Sequence, residues 1–557
     1  MRLSHTSRAS SRPGIVLIAV LVVIVLLTLT AFQFRDLMMQ EYAAAQSSLK
    51  SMQARSLANS GVHQAAAMLA DKDTLAGTLG NNPYDNAAAF SGVEVQAGGD
   101  GKSVGRFSII GPADPDQTGS AQTQRFGVSD EAGKLNINAL VQIDSTGQVA
   151  HDALMKLPNM TEEIADAIVD WIDADDNPRP SGAESSTYSG MQPAYRAKNA
   201  PLDSIEELLV VRGVTPRLLF GTDYNRNGVQ DAGEDDGSGW DPGWAAYLTV
   251  YSREQNLDNE RNPRIFLNDS NLKTLHDSLT TALGQKMADF IILYRTQTQS
   301  SSQSSGGASQ TIMMPAVTNT QVGGDGKGGN GAAVVLRFSV TISPSSGSNN
   351  SRTVPASDQQ LANKLNEVLS STRSQPRSLA SRYELIGASV TFTVGSGRTQ
   401  QTVRVDSPLT DASMAELLPT LLDKTTTQNI GELPARVNLL TAPAAVLTCL
   451  PGLNETDVQA IVAARPLPAE AADLAHQTPA WLLLDAKLDK AKAQALEKYV
   501  TSRTQVYRVQ SVGYFDAGGP AARVEAVVDT NGGKPRILMW RDLSDLGKGI
   551  DLTQPQQ

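Results

Sequence analysis

Between Ile15 and Phe34 the chain carries no charged residue. Twenty residues in a helix extend roughly 30 Å, the thickness of the hydrocarbon core of a bilayer. A cleaved secretory signal has a shorter apolar core that ends on small residues. This run instead ends in "AFQFRD", with no such site. Arg2, Arg8 and Arg12 precede it and no acid does, which predicts a cytoplasmic N-terminus with the bulk of the chain on the far side of a membrane. The helical pattern continues through "RDLMMQEYAAAQSSLKSMQARSLANSGVHQAAAMLAD". That stretch has no proline, is rich in good helix formers and is interrupted only by Gly61.

At 557 residues the chain is long enough for several domains. Its net charge of −11 argues against nucleic acid as a partner and is compatible with divalent cations. Cys449 is the single cysteine, so no intrachain disulfide can form. His5, His63, His151, His276 and His476 are scattered, and none makes a metal-type pair.

Beyond the long helix, "SGVEVQAGGDGKSVGRFSIIG" reads as two strands around a Gly-rich turn, and "QRFGVSDEAGKLNINAL" as a strand and a helix entry. Residues 141–290 read as mostly helical. A Ser/Gly/Gln-rich tract follows, read as flexible linker or loop. Strands are expected at "AVVLRFSVTIS" and "ELIGASVTFTVGSG", and helices at "SDQQLANKLNEVLSS", at "SMAELLPTLLDK" and between Ala442 and Tyr499. The last three runs, "QVYRVQSVGYF", "AARVEAVVD" and "RILMWRDL", suit an antiparallel sheet. There is also an internal echo. "LMKLPNMTEEIADAIVDWID" resembles "LTCLPGLNETDVQAIVAAR", and "LDSIEELLVVRGVTPRLLFG" is a looser copy. The shared pattern is a helix–hairpin–helix. Such hairpins can bind DNA phosphates through turn N–H groups, but Glu162, Glu163, Asp166, Glu455 and Asp457 crowd these turns. They are read as packing units.

Three segments offer chemistry. "GKSVG" matches both a nucleophile elbow and part of a phosphate loop. Gln96 stands where the phosphate loop needs glycine, and strand follows where the elbow needs helix, so it is read as a hairpin turn. "WIDADDNPRPSGAE" groups Asp173, Asp175, Asp176 and Glu184, a second cation cluster with a structural role as its alternative. "DYNRNGVQDAGE" fits the twelve-residue calcium loop throughout. Asp223, Asn225 and Asn227 supply side-chain oxygens at positions 1, 3 and 5. Gly228 makes the turn, the Val229 carbonyl serves position 7, Asp231 position 9 and Glu234 the bidentate position 12. "DDGSGWDPGW" after it is a poor exit helix, so the loop is EF-like rather than part of a full EF-hand.

A basic leader ending at Gly14, directly followed by an apolar helix that turns amphipathic, resembles type IV prepilins and pseudopilins. The segment from Asp170 to Gly221, with "GKLNINAL" before it and "VNLLTAP" after it, is similar to the K-type minor pseudopilin of type II secretion. The resemblance covers residues 1–290 and about 432–545. It implies cleavage after Gly14 by a prepilin peptidase, with methylation of Ile15. Most family members carry Glu at the fifth mature position; here it is Ala19, and the K-type subunit typically lacks that Glu because nothing sits above it.

The expected class is α+β: a long transmembrane helix, a pseudopilin α/β domain with an antiparallel sheet, and an inserted all-helical domain of helix–hairpin–helix or SAM-like type. The expected organisation is a leader at 1–14, transmembrane and stalk helix at 15–72, pilin-like domain at 73–140 and 432–545, and inserted domain at 141–290. A flexible segment at 291–331, an enlarged α/β region at 332–431 and a tail at 546–557 complete it. The resemblance implies a non-enzymatic subunit in the inner membrane with its bulk in the periplasm. It would cap the pseudopilus with the I- and J-type minor pseudopilins and meet the inner-membrane secretion platform. Calcium is the expected cofactor. The other reading is a membrane-anchored periplasmic calcium-binding or DNA-uptake module.

Overall fold

The computed structural model describes residues 13–97, 104–113, 124–231, 233–235, 237, 239–297, 353–371, 376–396, 400–467 and 470–550. Residues 1–12 of the leader, the Gly101–Ser103 part of "GKSVG", most of the Ser/Gly-rich tract, the strand expected at "AVVLRFSVTIS" and the tail beyond residue 550 lie outside them.

Helix α1 runs unbroken from Pro13 to Ala70. Residues 15–49 are exposed throughout. This is one helix long and apolar enough to cross a membrane, by length and composition. From Ala54 onward the helix has a buried face, made by Ala54, Leu57, Ala58, Val62, Ala65, Ala66 and Leu69. The three-and-four spacing is that of one helical face.

That face packs on an antiparallel sheet. Its strands are β1 (Val93–Gln96), β2 (Gly105–Ile110), β3 (Ser129–Asp130), β4 (Val506–Phe515), β5 (Ala522–Asp529) and β6 (Arg536–Asp542). The order is β1-β2-β4-β5-β6, with β3 pairing β4 beyond the end of β2. The closing three-strand run expected from the sequence is β4, β5 and β6. Alternation along each strand sends Phe107, Ile109, Tyr507, Val509, Val524, Ala526 and Val528 toward α1. Two glycines set the spacing. A Cβ at Gly513 would lie 2.1 Å from the Ala54 carbonyl oxygen, and one at Gly61 would lie 2.2 Å from Ser511 Oγ. The helix backbone therefore sits directly on the strand. The other face of the sheet carries arginines engaged by acids: Arg508 Nε lies 2.6 Å from Glu131, Arg508 Nη1 lies 3.1 Å from Glu525, and Arg541 pairs with Glu206.

A separate apolar core joins residues 135–248 to residues 437–500. It holds helices α2 (Gln148–Leu154), α3 (Glu162–Ile172), α4 (Pro216–Phe220), α5 (Ala444–Cys449), α6 (Glu455–Ala463) and α7 (Lys490–Leu496). The three echoing segments fold alike at their turns. Asn159, Gly213 and Gly452 have φ of 56°, 85° and 79°. Two residues later Thr161, Thr215 and Asn454 cap the next helix through their side chains.

Contacts divide the chain into two units: 1–267 with 379–386 and 409–557, and 268–378 with 387–408. The second unit holds a helical hairpin, Leu272–Leu283 and Gln285–Thr296, turning at Gly284 with φ +82°. It also holds the expected helix at Asp358–Ser370 and an antiparallel pair, Ser389–Val394 with Gln401–Asp406. Inside it His276 Nε2 lies 2.7 Å from Asp289 Oδ1.

Candidate metal centre

Helix α3 begins at the Thr161 cap and carries Asp166 and Asp170 one turn apart on its buried side. The chain then leaves the helix at Asp173 and folds back through the Pro-rich turn. Arg179 holds the turn: its Nε donates to Asp166 Oδ1 at 2.8 Å and its backbone N–H lies 3.1 Å from Asp170 Oδ2. The Ser181 N–H donates to Asp166 Oδ2 at 3.1 Å. A Cβ at Gly182 would lie 1.9 Å from Asp170 Oδ2, so only glycine lets the chain pass there and bring in Glu184.

The result is a convergence of three carboxylates. Asp170, Asp173 and Glu184 each offer an oxygen within 4.8 Å of the others, the one such cluster among the described residues. Glu184 is 1% exposed and neither of its oxygens accepts from an N–H or hydroxyl group, its side-chain neighbour being the Asp176 carboxyl; Asp173 Oδ1 is also buried and unpartnered. Burial, reinforced by Asp170, Asp173 and Asp176, pushes the Glu184 carboxyl up to about 8. Burial and the Asp173 charge push Asp170 up to about 6, against the pull of the Arg179 N–H. Three converging carboxylates, two of them with unpartnered oxygens, have the donor chemistry that suits a hard divalent cation.

Of the four acids expected to cluster, Asp173 and Glu184 do so. Asp175 does not join the three-acid set: its Oδ1 accepts from the Asn177 N–H and side chain at 2.9 and 2.7 Å. Asp176 accepts from the Ser185 N–H at 3.3 Å and lies near Glu184. Asp170 completes the cluster and was missing from the expected set. Its i, i+3 spacing to Asp173 at the helix end was the available signal.

The Asp223–Glu234 loop is arranged differently. Gly228 has φ +77°, at the turn position of the pattern. Asp223 accepts from the Asn227 and Gly228 N–H groups at 3.0 and 2.9 Å, and Glu234 from those of Asn225 and Asp231 at 2.9 and 3.2 Å. Asn227 Oδ1 accepts from the Val229 N–H at 3.0 Å, and both asparagine amides donate to Asp231 Oδ2, Asn227 at 2.9 Å. The loop's carboxylates are thus held by its own donors, and they form no three-acid cluster like that at Glu184. Burial, then the Glu234 charge, pushes Asp223 up to about 6. Buried Arg523 donates to the Asn225 carbonyl. At the N-terminus, Gly14 lies within α1 and Ile15 is exposed.

Residues 133–220, which hold the acid cluster, match the family described as "Type II secretion system (T2SS), protein K". Type II secretion system protein K of Pseudomonas aeruginosa (strain PAO1) is 35% identical over 112 residues, 18% of this chain and 31% of that protein. The protein of the same name from Pectobacterium carotovorum subsp. carotovorum is 33% identical over 116 residues, 20% of this chain and 35% of that one. The match thus spans about a third of the length of these curated relatives. A chain of the GspK-GspI-GspJ complex from the enterotoxigenic Escherichia coli type 2 secretion system is similar with a TM-score of 0.33 and 12% identity, covering 91% of this chain and 99% of that one. That score is too low to establish a common fold. The similarity to protein K of type II secretion is carried by the segment that builds the carboxylate cluster.

Proposed function

We propose that this chain is a K-type minor pseudopilin of type II secretion. In this reading it is a structural subunit and not an enzyme. It sits in the inner membrane by α1 with its bulk in the periplasm, is cleaved after Gly14 by a prepilin peptidase, and caps a pseudopilus together with I- and J-type minor pseudopilins on the secretion platform. The observation that carries the reading is the protein K match over residues 133–220 in a chain whose α1 leaves a bilayer-length apolar stretch free and then packs on an antiparallel sheet.

A divalent cation, calcium in the periplasm, belongs to the same reading. Asp170, Asp173 and Glu184 would hold it, supported by the unpartnered buried oxygens of Asp173 and Glu184. The Asp223–Glu234 loop is the second candidate on its residue pattern. The cation would neutralise the acids and fix the turn to α3.

The deciding experiment expresses the tagged full chain with the I- and J-type subunits of its own secretion system and isolates it from detergent-solubilised membranes. Stoichiometric recovery of both subunits is expected. Recovery of neither, from cells in which both are made, would refute the assignment.

A further inference from the structure

A cavity of about 470 Å³ opens beside α7, well away in sequence from the carboxylate cluster, and its wall is cationic. Arg264, Arg382 and Arg436 line it, and the exposed residues Ala491, Ala495 and Lys498 mark its mouth. Arg503 stands behind them and completes a group of four neighbouring guanidiniums. The acids at hand are already engaged. Glu254 accepts from both Nε and Nη2 of Arg436. Glu497 accepts from Arg382 Nε at 2.5 Å. The Asp423 carboxylate lies 3.5 Å from Arg503 Nη1. Lys424 is no spare cation, being paired with Asp258 and Glu260.

Arg264 is the most loosely paired member. Its side chain is only 5% exposed. Its Nε donates to the Asp423 carbonyl at 3.0 Å, and its nearest carboxylate, Glu254, is 3.7 Å from Nη1. Neither Nη nitrogen makes a hydrogen bond among the described residues, yet neither is sealed in protein, since the side chain borders the cavity. Burial and the neighbouring Arg503 hold its guanidinium well below the usual arginine range, which marks a cation short of counter-charge. Arginine does not relieve this by losing its proton. The forked N–H edge of a guanidinium fits two oxygens of a carboxylate or phosphate at once.

We propose that this cavity is an oxyanion-binding site, in which the Nη edge of Arg264, which makes no hydrogen bond among the described residues, holds a carboxylate or phosphoryl group of a small ligand entering past Lys498. Arg382 and Arg436, fixed by Glu497 and Glu254, add positive potential without having to move. A cavity of this size accommodates a compact polyanion.

The test is isothermal titration of the detergent-solubilised full chain with inorganic phosphate and, separately, with citrate, at constant ionic strength set by sodium chloride. Saturable binding of one anion per chain is expected, and the tighter probe distinguishes a phosphoryl from a carboxylate ligand. Arg264→Lys keeps the charge and loses the forked edge, and should weaken binding at least tenfold. Ala495→Trp fills the mouth from an exposed helix position without touching the arginines, and should do the same in a protein with wild-type circular dichroism. Absence of saturable binding by both probes, or undiminished affinity in the folded Ala495→Trp protein, would overturn the proposal.

Discussion

Replacing Glu184 by Gln separates the cost of an empty carboxylate cluster from its use. The Glu184 carboxyl has an ordinary value of 4.5 and is pushed up to about 8 by burial and by Asp170, Asp173 and Asp176. Between those values the native protein keeps a proton that the unfolded chain has released. Its stability is therefore full below the unfolded value and is lost as pH rises through the native one. Each tenfold difference in proton affinity between the two states is worth about 1.36 kcal/mol, so Glu184 alone costs roughly 2–3 kcal/mol between pH 5 and pH 7. Gln has nearly the same shape and never ionises. In chelator, the Glu184→Gln protein should melt several degrees above wild type at pH 8 and together with it at pH 5. Millimolar calcium should reverse the order at pH 8, because a cation binding only the folded state stabilises it and an amide is a poor substitute for a carboxylate ligand. The assay is thermal unfolding by circular dichroism at pH 5 and pH 8, in EDTA and in calcium. A variant that melts below wild type in EDTA at pH 8 would refute the electrostatic reasoning. Equal responses of both proteins to calcium would remove Glu184 from any metal site.

In the Glu184→Gln background the Asp223 loop is the remaining calcium candidate. Glu234→Gln should then abolish most of a calcium effect of about 1–2 kcal/mol, and a thermal shift that survives both changes would place the ion outside both sites. Mass spectrometry of membrane-extracted protein should find Ile15 as a methylated N-terminus, and bulky replacements of Gly14 should leave the precursor intact; a start at Met1 in the assembled subunit would contradict the processing scheme. Gly513→Val would drive a Cβ toward the Ala54 carbonyl, 2.1 Å away, and should cost at least about 1–3 kcal/mol by overpacking. Limited proteolysis should then cut α1 near Ala54 sooner than in wild type, and an unchanged digestion pattern would show that the helix does not seat on that strand.

Local pattern carried most of the elements. The apolar run, the terminal strand triplet and the three echoes of a turn followed by a capped helix depend on neighbours a few residues apart, so they could be read from the sequence. The long-range assembly could not. Nothing local indicates that α5, α6 and α7 share a core with α2 and α3, or that the chain divides between Leu267 and Asn268. The same limit explains the carboxylate cluster. Asp173, Asp175 and Asp176 are close in sequence, but a turn sends neighbouring side chains apart. Asp170 belongs to the set because Gly182 lets the returning chain close on it, a contact that composition does not reveal. The calcium pattern at Asp223 shows the converse. Residue types that suit a cation also satisfy one another's backbone donors in its absence.

The seating of α1 on Gly513 has a mechanical meaning. Helix and strand are keyed together at the backbone, so the rod cannot slide along the sheet without lifting off it. The exposed part of the rod, residues 15–49, is roughly 50 Å long, and a bilayer's hydrocarbon takes up roughly 30 Å of that. Roughly 20 Å of exposed rod then remains before the seat at Ala54. A pull along the rod is passed at the backbone to the strand on which it seats.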